Sequence, residues 1–497
     1  MKSVTILTIA AMAMAAATGC SHDTPTPSPE PPVKGGEFNE FGFTTTAPVT
    51  LSVDYGDMAG MPANVYFEVY DTCPVEETET AYAKIAGVEP LYAGYTDGQG
   101  RFEGTIELPA YIRKAYVLTP AFYARTLLEA TRSGDMLTAS AESGAPANAA
   151  PASTRAKEYH STAVERDGWK TWLGSYDTTY GSIGYEYDGD LKVKNYGALL
   201  KAHASVFDTT KKCPKEYRSS RDLYLEKSAE VVITLLGSNT CWNSSMGYYY
   251  YKTGNKPKSL ADANVVMIFP NTQDGRWSNS PWESRLYQGV ERGTAVQLIY
   301  YPEIADGSKA GATTVFPADY RIGFVLATNA WTNRLRAGDK KYRAATSDGL
   351  SVNNNGVAYQ TPRTAVFRYT DKKSGINSVL FSFEDHTNDE NFSDVVFTMT
   401  SNPVDAVTDI PSVDVNDGKK TANVLRGIYA FEDLWPSRGD YDMNDVMVRS
   451  DYEKVFNEKG VFEESFMLKT FANFAGNANG LAVTLTGCLL YTSDAAD

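Results

Sequence analysis

The chain of 497 residues is acidic: Asp and Glu number 61 against 46 Lys and Arg, which gives a formal net charge of −15. A chain of this charge repels polyanions, so the composition argues against nucleic acid and an anionic membrane face as partners. The length predicts two to four domains. The 32 Tyr and 21 Phe favour strands, and no long segment repeats apolar residues at helical spacing. The sequence therefore predicts a mainly β, multi-domain protein.

The N-terminus predicts an export signal over residues 1–20. Lys2 precedes an apolar stretch, residues 4–17, that is too short to span a membrane, and small residues then lead to Cys20. This ending resembles the lipobox of bacterial lipoproteins, although Ala17 stands where Leu is usual. The resemblance implies that Cys20 is lipidated and that its acyl chains, at about 0.8 kcal/mol per buried CH₂, anchor the protein to a membrane. An ordinary signal peptide with an unrelated cysteine is the alternative.

Two further stretches lie outside the predicted domains. Residues 21–40 are rich in Pro, Ser and Thr and predict a solvated tether. A lipoprotein of this kind is expected in the bacterial outer membrane, with the periplasmic and the surface-facing orientations both left open. Residues 488–497 resemble translated adapter read-through of metagenomic assemblies, so we expect a truncated reading frame and exclude this run from the fold.

Residues 41–138 predict a small N-terminal β-sandwich. Residues 49–53 and 64–70 alternate apolar and polar side chains, as half-buried strands do. A tight Asp-Gly turn at residues 97–98 leads into a further strand. This order of strands and turns resembles the prealbumin-like domains of Bacteroidetes surface lipoproteins.

Residues 161–400 predict a larger β-sandwich or jelly roll. A flexible linker rich in Ala, Ser and Pro, residues 139–160, precedes it. Apolar runs at residues 230–236 and 264–269 predict buried strands with turns between them. Residues 401–424 carry Asp, Pro, Asn and Gly and predict a connector to a further β domain.

Three cysteines fall within the predicted domains, at Cys73, Cys213 and Cys241, without close spacing. A disulfide between Cys213 and Cys241 is one possibility in an exported protein, and unpaired thiols are the other.

Two acidic segments near the end of the sequence resemble one another. The first contains Phe383-Glu384-Asp385 and continues as Asp389-Glu390-Asn391-Phe392-Ser393-Asp394-Val395-Val396. The second contains Phe431-Glu432-Asp433 and continues as Asp440-Tyr441-Asp442-Met443-Asn444-Asp445-Val446-Met447. Each combines an aromatic-Glu-Asp step, a gap, an acidic cluster and an apolar run typical of a strand. Because so many carboxylates repel one another beside apolar residues, a cation is expected among them.

The oxygen-rich clusters predict Ca²⁺ as the cofactor, since hard cations prefer carboxylate and amide oxygens. In the second segment, alternate residues are expected to point to one side of the loop, and the Glu-Asp step closes the site. The candidate ligands of the second segment are Glu432, Asp433, Asp440, Asp442, Asn444 and Asp445. Those of the first segment are Glu384, Asp385, Asp389, Asn391 and Asp394. The alternative is that these side chains cap turns by accepting main-chain N–H bonds.

The second segment, residues 429–448, closely resembles the opening signature of LruC-domain proteins. The first segment, with residues 323–331 upstream, resembles the β-rich domain of unknown function that often precedes that signature. Together the two resemblances cover residues 239–448. They imply an exported bacterial lipoprotein without an established activity, in which residues 425–487 begin a LruC-type domain that is incomplete.

The function predicted from these features is a binding or structural, adhesion-like role in the cell envelope, with β domains stabilised by calcium. The sequence contains no nucleophile elbow, zinc-protease motif or phosphate loop, so it does not favour an enzyme. The alternative is a surface component that binds or processes glycans, with Trp242 and Trp331 as stacking residues. The expected partners are the membrane, through the lipid anchor, and a glycan or protein ligand at the cell surface.

Overall fold

The computed structural model describes residues 7–13, 46–56, 64–77, 82–141, 169–177, 180–194, 196–273, 289–331, 343–353, 355–371, 375–386, 389–412, 420–433, 442–457 and 460–485. Several sequence predictions lie outside the described residues: Cys20, the tether at 21–40, most of the linker at 139–160, Asp440 and the run 488–497. The chain divides into two compact units. The large unit comprises residues 46–420 and 457–460, and the small unit comprises the remainder.

Strands dominate the described residues, which confirms the predicted mainly β, multi-domain class. The strands as far as residue 140 are β1 (Leu7–Ala13), β2 (Thr46–Asp54), β3 (Tyr66–Tyr70), β4 (Val75–Glu77), β5 (Tyr82–Lys84), β6 (Tyr92–Tyr95), β7 (Arg101–Pro109), β8 (Lys114–Leu118), β9 (Leu127–Ser133) and β10 (Met136–Ser140). The next elements are β11 (Thr171–Trp172), α1 (Tyr196–Val206), β12 (Leu223–Leu225), β13 (Ala229–Ser238), β14 (Ser245–Lys252), β15 (Val266–Phe269), β16 (Ala295–Gln297), β17 (Val315–Phe316), β18 (Tyr320–Ala327), β19 (Arg343–Ala345), β20 (Thr364–Asp371), β21 (Ile376–Phe383), β22 (Val395–Asn402) and β23 (Val407–Thr408). The last strands are β24 (Lys420–Phe431), β25 (Val446–Asn457), β26 (Gly460–Asn473) and β27 (Asn479–Leu485).

The N-terminal domain, residues 46–141, contains a seven-stranded sheet in the order β6-β3-β8-β9-β10-β2-β7. Its two outermost strands meet across the core, because the rings of Tyr92 on β6 and Phe102 on β7 lie 5.8 Å apart. Phe67 on β3 also lies 5.1 Å from Phe102. The sheet therefore folds over its own apolar face and buries the alternating residues that the sequence pattern predicts.

The second domain, residues 169–412, is a sandwich of two sheets. One has seven strands, with β11-β15-β14-β18-β12-β23 in order and β19 beside β18. The other has six, with β16-β13-β22-β21-β20 in order and β17 beside β13. The two sheets share one core, in which Phe324 lies 5.4 Å from Phe381 and 5.0 Å from Phe397. Antiparallel packing of this kind leaves the loops at the ends of the sandwich to carry function.

The small unit contains a three-stranded sheet in the order β24-β25-β26. β24 begins at Lys420, within the predicted connector. A separate pair joins β1, from the predicted signal sequence, to β27 in antiparallel register. No described helix is long and apolar enough to cross a membrane. Cys213 and Cys241 are both buried and do not form a disulfide.

Candidate metal centres

The first acidic segment is the loop between β21 and β22. Phe383, at the end of β21, pairs with Val395, at the start of β22, so the loop begins and ends at adjacent positions of two neighbouring strands. Within it, Glu384, Asp385 and Asp394 each offer a carboxylate oxygen, and these oxygens lie within 4.8 Å of one another. All three side chains are buried, with exposures of 0%, 5% and 4%. We call this cluster the first acidic centre.

Main-chain N–H groups bind part of each carboxylate. Asp385 donates to Oδ2 of Asp394 over 2.6 Å. Phe392 donates to Oε2 of Glu384 over 3.2 Å, and His386 donates to Oε1 over 3.3 Å. Phe392 adopts a left-handed φ of 58°, which is unfavourable for a bulky residue and is fixed here by that hydrogen bond and by burial. Turn capping thus explains how the loop is held, but it leaves the negative charge of the buried cluster uncompensated.

Arg363 supplies a positive charge beside the centre. Thr364 pairs with Phe383, which brings the preceding Arg363 next to Glu384. Nη2 of Arg363 lies 3.4 Å from Oε1 of Glu384, and both side chains are almost fully buried. Nη2 has no hydrogen-bond partner in the described structure. One guanidinium therefore faces several carboxylates.

The electrostatic result is a set of carboxyl groups that resist ionisation. Burial raises the pKa of Asp385 to about 6, and nearby Asp389 adds to the shift. Burial and then the charge of Asp389 raise the pKa of Glu384 well above its usual range. For Asp394, burial and then the charges of Asp385 and Glu384 raise the pKa in the same way. A bound cation would reverse these shifts, because it favours the charged form of each group.

The other two predicted ligands of the first loop, Asn391 and Asp389, do not belong to the three converging carboxylates. Nδ2 of Asn391 donates to Oδ2 of Asp389 over 2.6 Å and to the carbonyl of Thr209 over 3.1 Å. Oδ1 of Asn391 accepts the N–H of Ser393 over 2.7 Å. Asn391 thus stabilises the loop through its hydrogen bonds, while half-buried Asp389 lies at the edge of the centre.

The second acidic segment repeats this arrangement in the small unit. The N–H of Asp433 donates to Oδ2 of Asp445 over 2.8 Å, and the N–H of Met443 donates to Oε2 of Glu432 over 3.3 Å. Met443 has a φ of 56°, matching the left-handed residue of the first loop. Carboxylate oxygens of Glu432, Asp433 and Asp445 lie within 4.8 Å of one another. We call this half-buried cluster the second acidic centre.

Of the alternate positions in the second segment, the structure describes Asp442 and Asn444, and these two side chains bond to each other. Both the N–H and the side-chain amide of Asn444 donate to the carboxylate of Asp442. Asp442 is exposed, and it is absent from the cluster of converging oxygens. The Glu-Asp step and the last aspartate converge because they lie at the ends of two neighbouring strands, whereas Asp442 lies within the loop.

A third strand completes each centre, and sequence patterns did not reveal it. In the first centre, the residue after β13, Asn239, donates its N–H to the carbonyl of Asp394 over 3.1 Å. Oγ1 of Thr240 donates to Oδ2 of Asp385 over 2.5 Å. The sheet order there is β13-β22-β21.

In the second centre, the residue after β26, Phe474, donates its N–H to the carbonyl of Asp445 over 3.0 Å. Nδ2 of Asn477 donates to Oδ2 of Asp433 over 2.9 Å. The sheet order is β26-β25-β24, so the same three-strand arrangement occurs twice. The third strand precedes the loop in one case and follows it in the other, which hides the relationship from a linear comparison.

The donor chemistry of both centres fits a hard cation. The converging atoms are carboxylate oxygens, without a cysteine or histidine among the clustered described residues. Oxygen-only donor sets suit Ca²⁺ or Mg²⁺ and disfavour zinc or copper. Glu384, Asp385 and Asp394 would hold the ion in the first centre, and Glu432, Asp433 and Asp445 would hold it in the second.

The aromatic residues proposed for glycan stacking are buried. Trp331 is 1% exposed and lies in the sandwich core, and Trp242 is 8% exposed. Neither indole offers an open face, so the structure does not support a stacking platform at these positions.

The tyrosine run at residues 248–251 also has a structural use. The hydroxyl of Tyr248 donates to the carbonyl of Ile299 over 2.6 Å and accepts its N–H over 3.1 Å. Tyr250 makes the same pair of bonds with Tyr301, each over 2.8 Å. These hydroxyls thus satisfy main-chain N–H and carbonyl groups of the segment that follows β16.

Two parts of the chain match known family models. Residues 47–141 match a domain of unknown function, DUF8469, and residues 316–402 match another, DUF4114. The first match covers the N-terminal domain, and the second includes the first acidic centre. Comparisons with curated proteins and with solved structures found no match. Because both families are described only as domains of unknown function, they add no activity.

Proposed function

We propose that the chain is a lipid-anchored protein of the bacterial cell envelope, with Ca²⁺-stabilised β domains and a binding or structural, adhesion-like role. The observation that carries the calcium proposal is the convergence of three buried carboxylates, from Glu384, Asp385 and Asp394, within 4.8 Å. The lipid anchor rests on the sequence around Cys20. The resemblance of residues 429–448 to LruC-domain proteins supports the same cellular location.

Charge explains why an ion would stabilise the fold. Uncompensated carboxylates in a buried site repel one another, and a divalent cation replaces that repulsion with attraction. The ion would bind the two ends of one loop and, through Thr240 or Asn477, hold them to the third strand. Calcium sites of extracellular modules bind at about 10⁻⁴–10⁻³ M, which suits a structural ion in a calcium-rich surrounding.

The test is calorimetric titration and thermal unfolding of the full chain, with millimolar calcium and with chelator. We expect calcium to raise the melting temperature of the wild type. The double variant Asp385→Asn with Asp394→Asn should bind less calcium and lose most of that increase. Asp306→Asn, an exposed residue of the same sandwich, makes the same change of charge and should keep the increase. Equal melting of the wild type with calcium and with chelator would refute the proposal.

The anchor has its own test. Expressed in a bacterium with radioactive palmitate, the wild-type chain should incorporate label and sediment with the outer membrane. Cys20→Ser should abolish both. If the wild-type protein incorporates no label, the lipid anchor is refuted, and an ordinary signal peptide describes the N-terminus better.

A further inference from the structure

We infer that residues 203–213, which we call the bridge segment, couple the loop of the first acidic centre to the N-terminal domain, so that a change in the loop alters how firmly that domain is held. The bridge segment contains the end of α1 and the turn that follows it. It lies between the two structures and bonds to both. This coupling does not depend on which ion, if any, binds the loop.

The bridge segment binds the N-terminal domain through main-chain and ring contacts. The N–H of Thr209 donates to the carbonyl of Pro120 over 3.1 Å. The N–H of Lys84 donates to the carbonyl of Thr210 over 3.4 Å. The ring of Phe122 lies 4.6 Å from that of His203 in an edge-on arrangement.

The same segment binds the acidic loop. The carbonyl of Thr209 accepts Nδ2 of Asn391 over 3.1 Å. The N–H of Cys213 donates to the carbonyl of Glu390 over 2.8 Å. Thr209 is therefore the point of closest connection: its N–H binds the N-terminal domain, its carbonyl binds the loop, and it is 5% exposed.

Charged side chains strengthen the attachment to the loop. The carboxylate of Glu390 accepts from Arg218 over 3.2 Å and from Lys212 over 3.2 Å. His203 also bonds through Nε2 to Oγ of Ser382, directly before the loop, over 2.9 Å. The loop, the bridge segment and the domain thus form one connected set of hydrogen bonds.

Packing makes the connection stiff. Phe392 of the loop, Phe207 of the bridge segment and Phe122 of the N-terminal domain belong to one buried apolar cluster. Close-packed side chains transmit a displacement because they leave no free volume to absorb it. A loop that relaxes by even a fraction of an ångström would therefore loosen the contacts with Pro120 and Phe122.

Hydrogen–deuterium exchange on the full chain tests the coupling. The variant is Asp394→Asn, because Asp394 lies at the end of the loop that leads into β22. Among the described residues, Asp394 bonds to Asp385 and Asn239 rather than to the bridge segment. We expect amides in residues 115–124 to exchange roughly 2- to 30-fold faster than in the wild type, the range that such coupling energies give. Amides in β2, on another strand of the same domain, serve as the internal reference. Asp306→Asn is the matched control and should change neither region.

Faster amide exchange in the loop and the bridge segment, with exchange in residues 115–124 unchanged, would overturn the inference. A second outcome is equal acceleration of exchange in β2, which indicates that Asp394→Asn unfolds the whole domain. In the second case the milder Asn391→Ser, which removes the donor to Thr209, repeats the test. If amide exchange in residues 115–124 of Asn391→Ser is no faster than in β2, the coupling is refuted.

Calcium provides an independent arm. If calorimetry shows that calcium binds, its removal by chelator should accelerate amide exchange in residues 115–124 of the wild type. Binding without that acceleration contradicts the coupling, whereas absence of binding contradicts only the proposed function.

Discussion

The main-chain N–H of Asp385 donates to the carboxylate of Asp394 over 2.6 Å and so joins the two ends of the first acidic loop. The second loop contains the equivalent bond between Asp433 and Asp445, over 2.8 Å. Two units that differ in their remaining structure therefore share one loop geometry. Chance clustering of acidic residues would not reproduce the same donors, acceptors and left-handed residue.

Substitutions of Asp445 and Asp442 should differ in their effect on the calcium-dependent stability of the second centre. We expect Asp445→Asn to lose most of the calcium-dependent stability of the small unit, because its carboxylate belongs to the converging group. Asp442→Asn should retain it, because that side chain is exposed and bonds to Asn444. An ion present at ten times its dissociation constant contributes about 1.4 kcal/mol. Chemical unfolding with and without calcium measures the difference, and equal losses in the two variants would restore the sequence-based assignment.

Removal of Arg363 should destabilise the large unit. Arg363→Met leaves buried Glu384 without its guanidinium, and because Glu384 resists ionisation the loss should lie below the cost of about 3–5 kcal/mol for breaking a fully charged buried ion pair. Calcium should recover part of this loss, since it supplies positive charge to the same cluster. Urea unfolding measures the change. Arg321→Met, which removes a half-buried arginine over Tyr224, is the control and should show no calcium-dependent recovery.

Thr240 should contribute more than an ordinary buried threonine. Thr240→Val removes the hydroxyl that donates to Asp385 and should cost about 1.5–3 kcal/mol, the range for hydrogen bonds to charged groups. Thr234→Val is the control from the neighbouring strand β13. The hydroxyl of Thr234 is buried without a partner in the described structure, so its removal should be neutral or stabilising. Similar losses from both substitutions would contradict the assigned role of Thr240.

His203 should make a destabilising contribution to the large unit on mild acidification. Burial lowers the pKa of His203 to about 3, against 6.5 in an unfolded chain. Between these values the unfolded state binds the proton and the folded state does not, so stability is full above pH 6.5 and decreases below it. The slope is about 1.4 kcal/mol per pH unit.

The acidic centres have the opposite sign, since their raised pKa values favour the folded state as the pH falls. A comparison of the wild type with His203→Phe at pH 7 and pH 5 therefore isolates the histidine. The variant should lose less stability between the two pH values, by about 2 kcal/mol. An identical pH dependence in both proteins would show that His203 is not the responsible group.

Local patterns predicted much of the architecture. Alternating residues predicted strands of the N-terminal domain, whose last described strand ends at Ser140. The acidic repeats also marked both loops. These features depend on neighbours in sequence, for which side-chain periodicity is a direct physical signal.

Local patterns did not reveal the features that depend on strand pairing and on packing. Thr240 reaches the first centre from 145 residues away, and Arg363 precedes β20, which pairs with β21, so only the register of the sheet brings both there. The burial of Trp331 likewise follows from packing between the sheets, and Trp242 is buried beside Cys241 and His386, neither of which composition encodes. The spacing that predicts Asp442 as a ligand does not reveal that Asn444 donates to its carboxylate.

The opposite chain order of the third strand has a consequence for folding speed. In the small unit, Asn477 and Asp433 are 44 residues apart, and the three strands follow one another. In the large unit, Thr240 and Asp385 are separated by 145 residues. Because contacts between distant residues form slowly, the second centre should assemble early and locally, whereas the first should form among the last contacts of its sandwich.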